Sequence, residues 1–200
     1  MSGEQPMQFN ILNEITKLAA IKATSGLSKM LGFPIGVNIL PVESKNLDEI
    51  QTLMNADEKI VGLTVPIVGQ LPGACLFIYP EKSAFAICDI MFHRKDGETK
   101  SFSEMEKSAL TEVANIIAGN FLTSFSMSLQ IESLMHRAAH FEHRKFSEFM
   151  EAISNSLYKS VKSNNAFEIA FQFQNSQVQG TVIFLFEEKE VLRLIQKVSA

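Results

Sequence analysis

Residues 73–82 read GACLFIYPEK and residues 180–189 read GTVIFLFEEK. Superimposing the two places Gly73 on Gly180, Phe77 on Phe184, Glu81 on Glu188 and Lys82 on Lys189. Each stretch reads as the second strand of a hairpin that runs straight into a helix. The first strands are Ile60–Val68 and Ala166–Phe173, and Gly69 with Pro72-Gly73 supplies the first turn. Helices follow over Pro80–Phe92 and Glu187–Val198. A hairpin-helix unit that occurs twice marks an internal repeat, and the repeat decides how the rest is read.

The elements before the hairpins repeat as well. From Phe9 to Leu31, apolar residues at Ile11, Ile15, Leu18, Ala19, Leu27, Met30 and Leu31 keep helical spacing until Gly32 and Pro34 end it. In the second half Ser103-Glu-Met-Glu106 has capping-box spacing and opens a helix that runs to about Met127. Setting Glu14 on Glu112 pairs Leu12 with Leu110, Ala20 with Ala118, Ser28 with Ser126 and Leu31 with Leu129. After the first helix, Ile35–Val42 alternates as a strand and Asn46–Met54 forms a short helix. After the second come an extended segment near Leu129–Leu134, a polar stretch, and an amphipathic helix marked by Phe146, Phe149, Met150, Ile153, Leu157 and Val161.

The two units, about 9–93 and 103–198, meet at a polar linker, Arg94–Lys100, that contains Asp96-Gly97. Neither has enough strands to cover its own long helix. The expectation is a single α/β domain over residues 1–200, a pseudo-twofold repeat in which two equivalent long helices pack on one shared sheet of about six strands.

Composition narrows the function. Lys and Arg total 18 against 22 Asp and Glu, a net charge of −4, which argues against a partner held by its phosphate backbone, so no nucleic acid is expected. With 46% hydrophobic residues the chain can build a core. No apolar run approaches the ~18 residues of a membrane span and the N-terminal residues lack signal-peptide character, so a cytoplasmic protein without membrane attachment is expected. Cys75 and Cys88 sit in apolar surroundings and read as buried, reduced core residues. His136, His140 and His143 would share a face if their stretch were helical, yet neighbouring Arg137 and Arg144 and the lack of a completing ligand argue against a metal site. There is no phosphate-cradling glycine loop, Ser-His-Asp set or dinucleotide fingerprint.

Ser108-Ala-Leu-Thr-Glu112-Val-Ala-Asn115, continued by Ile-Ile-Ala-Gly-Asn over 116–120, together with GQLPGACLFIYPEKSA over 69–84, resembles the CheC/CheX/FliY family of chemotaxis phosphatases. Counting the repeat, the resemblance covers about Phe9–Val198. It implies a CheC-like fold and hydrolysis of the aspartyl phosphate of a CheY-like response regulator. Glu112 and Asn115 would be the catalytic pair, Ser108 and Gly119 partner contacts, and the partner's receiver domain would bring the Mg²⁺, so the chain needs no cofactor or metal of its own. The first helix departs from the pattern, with Asn10 at the Asp/Ser position, Glu14 kept, and Lys17 in place of Asn. Pro41 stands one residue from the family's later proline, whereas Ala138 and Ala139 follow the second helix. One active centre is expected. The alternative reading is a non-catalytic CheC-like interaction module that binds a receiver domain, the deamidase CheD or a flagellar-switch component. A monomer or a homodimer suits either.

The residue types suit the implied chemistry. Glu112 and Asn115 are three apart and project from one helix face. Hydrolysis of an acyl phosphate asks mainly for positioning, and a neutral carboxamide can orient water without repelling the phosphoryl group. Glu112 would meet a cationic residue of the partner. Ser108, with no base near it in sequence, suits contact rather than attack. Lys17 has donors and no acceptor, so the first helix reads as catalytically silent, with Lys17 expected to ion-pair with Glu14.

Overall fold

The computed structural model describes residues 4–32, 36–39, 43–45, 47–157, 166–174 and 178–199. In chain order the first half holds α1 (Glu4–Leu31), β1 (Gly36–Ile39), β2 (Glu43–Lys45), α2 (Leu47–Ile50), β3 (Lys59–Gly69), β4 (Gly73–Pro80) and α3 (Glu81–Met91). The second holds α4 (Glu104–Ser128), β5 (Leu134–His136), β6 (His140–Lys145), α5 (Phe146–Leu157), β7 (Ala166–Gln174), β8 (Thr181–Glu187) and α6 (Glu188–Ser199). Helix α1 starts five residues before the sequence-based boundary, with Pro6 in its first turn, where a missing N–H costs nothing.

Six strand positions run in the order β1-β7-β8-β4-β3-β5, with β2 also on β7 and β6 also on β3, so the sheet has eight strands where about six were expected. The centre is the antiparallel pair β4–β8, in which Leu76 stands opposite Ile183. With Gly73 set on Gly180, those two are equivalent residues, so a pseudo-twofold axis passes between them. The repeated glycines owe their identity to this seam. A Cβ on Gly73 would lie 2.2 Å from the Leu185 carbonyl oxygen, and one on Gly180 would lie 3.2 Å from the Ile78 carbonyl oxygen and 2.4 Å from the Tyr79 ring. These are the same contact seen from its two ends, and only a residue without a side chain permits it.

Alternation along the central strands builds a core on each face. Cys75, Phe77 and Tyr79 of β4 and Val182, Phe184 and Phe186 of β8 face the long helices, while Ala74, Leu76, Ile78, Ile183 and Leu185 face Phe146, Phe149, Met150 and Ile153 of α5. Helices therefore cover both faces. On the first face Phe121 of α4 stacks on Phe184 with centroids 3.8 Å apart, and Phe125 stacks on Phe186 at 5.5 Å. Both cysteines are buried and unbridged, as their surroundings predict.

Residues 140–145 correct the sequence reading. They form β6, an edge strand on β3, and not a polar stretch or a helix. Phe141 alone among the six is a large apolar residue and none of the six is buried, so this edge strand offers no apolar alternation to read. Residues 35–42 yield β1 over Gly36–Ile39, followed by a separate β2 at Glu43–Lys45, with 35 and 40–42 outside the described residues. Val161, expected to continue the α5 face, also lies outside them.

The linker is built rather than slack. Asp89 of α3 accepts from Gly97 N and Thr99 N, both at 2.8 Å, and Arg94 Nη1 reaches Glu106 Oε1 at 2.7 Å and Thr99 Oγ1 at 2.8 Å. Glu106 closes the expected capping box with Ser103, whose backbone N–H it accepts at 3.0 Å and whose hydroxyl also donates to it. The Ser103 hydroxyl and then the Arg94 guanidinium hold the Glu106 carboxyl down to about 2 from an ordinary 4.5. A carboxyl depressed in the folded state contributes stability above its unfolded pKa and loses it as pH falls toward the folded value. Urea denaturation should therefore show stability declining between pH 4.5 and 2, and Glu106→Gln should cost about 1–2 kcal/mol at pH 6 and flatten that decline.

Candidate functional site

Helix α4 presents Ser108, Glu112, Asn115 and Gly119 along one side, at steps of four, three and four residues. Ser108 and Glu112 are exposed, and Asn115 and Gly119 are half-buried. The helix positions them because its opposite side is committed to the core: Leu110, Val113, Ala114, Ile117, Ala118 and Phe121 are all fully buried. Rotation about the helix axis would strip that face from the sheet.

Asn115 is the member with a fixed orientation. Its Oδ1 accepts from the backbone N–H of Ala139 at 3.1 Å, across the turn between β5 and β6. That turn is held independently, since Arg137 N donates to the Pro66 carbonyl of β3 at 2.9 Å and His136 pairs with Ile67. An oxygen engaged by a main-chain donor leaves the Nδ2 amine, with two N–H groups, as the outward end of the amide, plus one further lone pair on Oδ1. The carboxamide expected to orient water is thus pinned, with donation favoured. The partner is a main-chain group, so no side-chain pattern could have revealed it. The ring of His136 lies over Gly119, where a Cβ would come within 3.1 Å of Nε2, so the small residue seats the histidine one turn beyond Asn115.

The first helix places Asn10, Glu14 and Lys17 at the surface, and Glu14 and Lys17 form no ion pair with one another, contrary to expectation. Exposed i, i+3 pairs gain little, so solvation suffices for both side chains. Around Lys17 the surface carries Leu18 and Ile21, 56% and 51% exposed, where α4 has half-buried Ile116 and Gly119. The two helix faces are equivalent in backbone and different in chemistry.

The histidines do not converge. His143 Nε2 meets Glu81 Oε1 at 2.7 Å, His140 lies 3.6 Å from Glu142, and His136 Nδ1 sits 3.1 Å from the Arg137 carbonyl. No group of three or more potential ligand side chains gathers among the described residues. No helix among them is long and apolar enough to cross a membrane.

A model of the CheC-like family matches residues 105–132, the segment that carries the face just described. The chain is 26% identical to the CheY-P phosphatase CheC of Bacillus subtilis over 128 residues, 62% of this chain and 61% of that protein. It thus spans about three fifths of the length of the curated relatives it matches. The crystal structure of Thermotoga maritima FliY superimposes with a TM-score of 0.74 at 20% identity, over 97% of this chain and 96% of that one. FliM from Helicobacter pylori, solved in complex with FliG, does so with a TM-score of 0.65 at 10% identity, over 94% and 98%. The fold is that of CheC-like proteins. The matches are thus to CheC-like proteins, in sequence over part of the chain and in fold over nearly all of it.

Hydrogen exchange tests the pinned amide. In Asn115→Ala the Ala139 amide should exchange faster, while the Arg137 amide, bonded to Pro66, should keep its protection.

Proposed function

We propose that the chain is a phosphatase that hydrolyses the aspartyl phosphate of a CheY-like receiver domain, with Asn115 placing the attacking water and Glu112 docking the partner. The observation that carries this reading is the Asn115 amide, half-buried on α4 and oriented by the Ala139 N–H, one turn from an exposed carboxylate. Similarity to a relative named as a CheY-P phosphatase supports it.

In the reaction, water oxygen bonds to phosphorus as the phosphorus–oxygen bond to the aspartyl group breaks, and the products are a free carboxylate and inorganic phosphate. Charge spreads over the equatorial oxygens in a loose transition state, so the catalyst's main task is to hold water in line. A pinned carboxamide does this at low entropic cost. Its Nδ2 donates to the water oxygen, the spare Oδ1 lone pair accepts a water hydrogen, and no negative charge opposes the phosphoryl group. The Mg²⁺ that neutralises phosphoryl oxygens belongs to the receiver in this scheme. Glu112 meets a cation of the receiver, setting the register of Asn115 over phosphorus, and Ser108 and Gly119 extend the contact along α4.

A second reading, a non-catalytic binding module of the same architecture, is favoured by Lys17, which leaves one of the two equivalent faces without an asparagine at the position that matches Asn115. A dephosphorylation assay on a phosphorylated receiver domain separates the two. Asn115→Ala should lower the rate on the order of 10²-fold with binding retained, and Glu112→Ala should weaken binding about tenfold. An unchanged rate in Asn115→Ala leaves the binding module standing. Lys17→Asn should add little activity, because that face carries exposed Leu18 and Ile21 where α4 has half-buried Ile116 and Gly119. A gain approaching the rate carried by α4 would contradict this.

A further inference from the structure

A cleft of about 280 Å³ opens between α1 and α4, and its walls are equivalent residues. In the register that sets Glu14 on Glu112, Lys22 matches Asn120, Ser25 matches Thr123 and Gly26 matches Ser124, and all six line it. The cleft therefore sits on the pseudo-twofold axis of the helix pair. It includes neither Glu112 nor Asn115.

Its chemistry is one-sided. Helix α1 contributes Lys22 and Lys29, two helical turns or about 10.5 Å apart, with Ser25 between them on the same face. Extended lysine side chains can converge across that interval. Neither ammonium has an ionic partner among the described residues, whereas Lys107 and Lys145 pair with Glu104 and Asp57. No carboxylate lines the cleft. On the other wall Ser124 is 5% exposed, and its hydroxyl has no hydrogen-bond partner among the described residues. Its neighbours Thr123, Ser126 and Ser128 all turn their hydroxyls back onto helix carbonyls. The Ser124 hydroxyl on the cleft wall can donate to a bound acceptor. Gly26 completes the wall: a Cβ there would stand 2.5 Å from Asn120 Nδ2, so glycine lets that amide lie close against α1.

We propose that this cleft binds a phosphate group, as the free ion or as a small phosphomonoester. Two ammonium groups match a dianion in charge, and the Ser124, Ser25 and Asn120 donors match its oxygens. The volume lies at the lower edge of small-ligand sites and suits a compact molecule. The cleft includes none of Ser108, Glu112, Asn115 and Gly119, so binding here is independent of whether the chain hydrolyses an acyl phosphate.

Calorimetric titration of the whole chain with inorganic phosphate, and separately with glycerol 3-phosphate, tests it. Saturable binding of at least one is expected, weakened about tenfold or more in Lys22→Ala/Lys29→Ala and also weakened in Ser124→Ala, with Lys107→Ala unchanged. Tighter binding of the ester assigns the site to a phosphomonoester, and tighter binding of phosphate assigns it to the ion. Absence of saturable binding of either probe, or binding that survives the double lysine variant, overturns the proposal. Glu112→Ala should bind both probes as the natural chain does, which separates this site from the proposed docking residue.

Discussion

The close approach of β4 and β8 is the constraint on which the rest of the molecule depends. Leu76 opposite Ile183 defines the axis, and the glycines at 73 and 180 let each strand's neighbourhood press on the other's backbone. Every other symmetric relation follows from that seam. Hairpins lie outward from it on both sides, and each hairpin is finished by the short strands of the opposite half: β5 and β6 on β3, β1 and β2 on β7. The halves are thus interlocked through exchanged edges, and the buried face of each long helix is a product of both.

Symmetry in the backbone leaves the exposed faces free to diverge. The core side of α4 is fixed by residues such as Val113, Ile117 and Phe121, and that of α1 by Leu12, Ala19 and Ala23. Outward positions carry no packing requirement, so one helix can hold Glu112 and Asn115 while its twin holds Glu14 and Lys17. What the α4 face adds is a second support, the 137–139 turn that pins the Asn115 amide. The network of Asp89, Arg94, Thr99 and Glu106 fixes the start of the same helix, so the candidate site is braced at its N-terminal end and at its middle.

Much of this was legible in the residues. The repeat of GACLFIYPEK and GTVIFLFEEK carried both hairpins, the shared sheet and the pairing of helices, because strands that meet at a pseudo-axis face the same neighbours and keep the same side chains. The capping box at Ser103 named the start of α4 to within a residue. Less was legible at the sheet edge, where β6 buries none of its side chains. Strand β6, HFEHRK, has the composition of a loop, and its pairing with β3 is a backbone property without a side-chain signature. The covering of the second face by α5 was implicit in its apolar stripe but had no named target. At the site, the types and spacing of Ser108, Glu112, Asn115 and Gly119 could be read, while the donor that orients Asn115 could not, being a main-chain N–H twenty-four residues away.

The exchanged edges also set the order in which the chain can acquire its structure. Strand β3 emerges from the ribosome with its edge unpaired until residues 134–145 exist, since its outer partners are β5 and β6, and β4 stays open until β8, whose last residue is Glu187. Sheet contacts that span a hundred residues raise contact order and slow the search for the native pairing. During that interval the nascent first half presents long apolar strands with free backbone donors and acceptors, the surface on which unwanted strand addition starts. The same interlocking that unites two repeats into one sheet therefore makes the protein's vulnerable period the time taken to synthesise its second half.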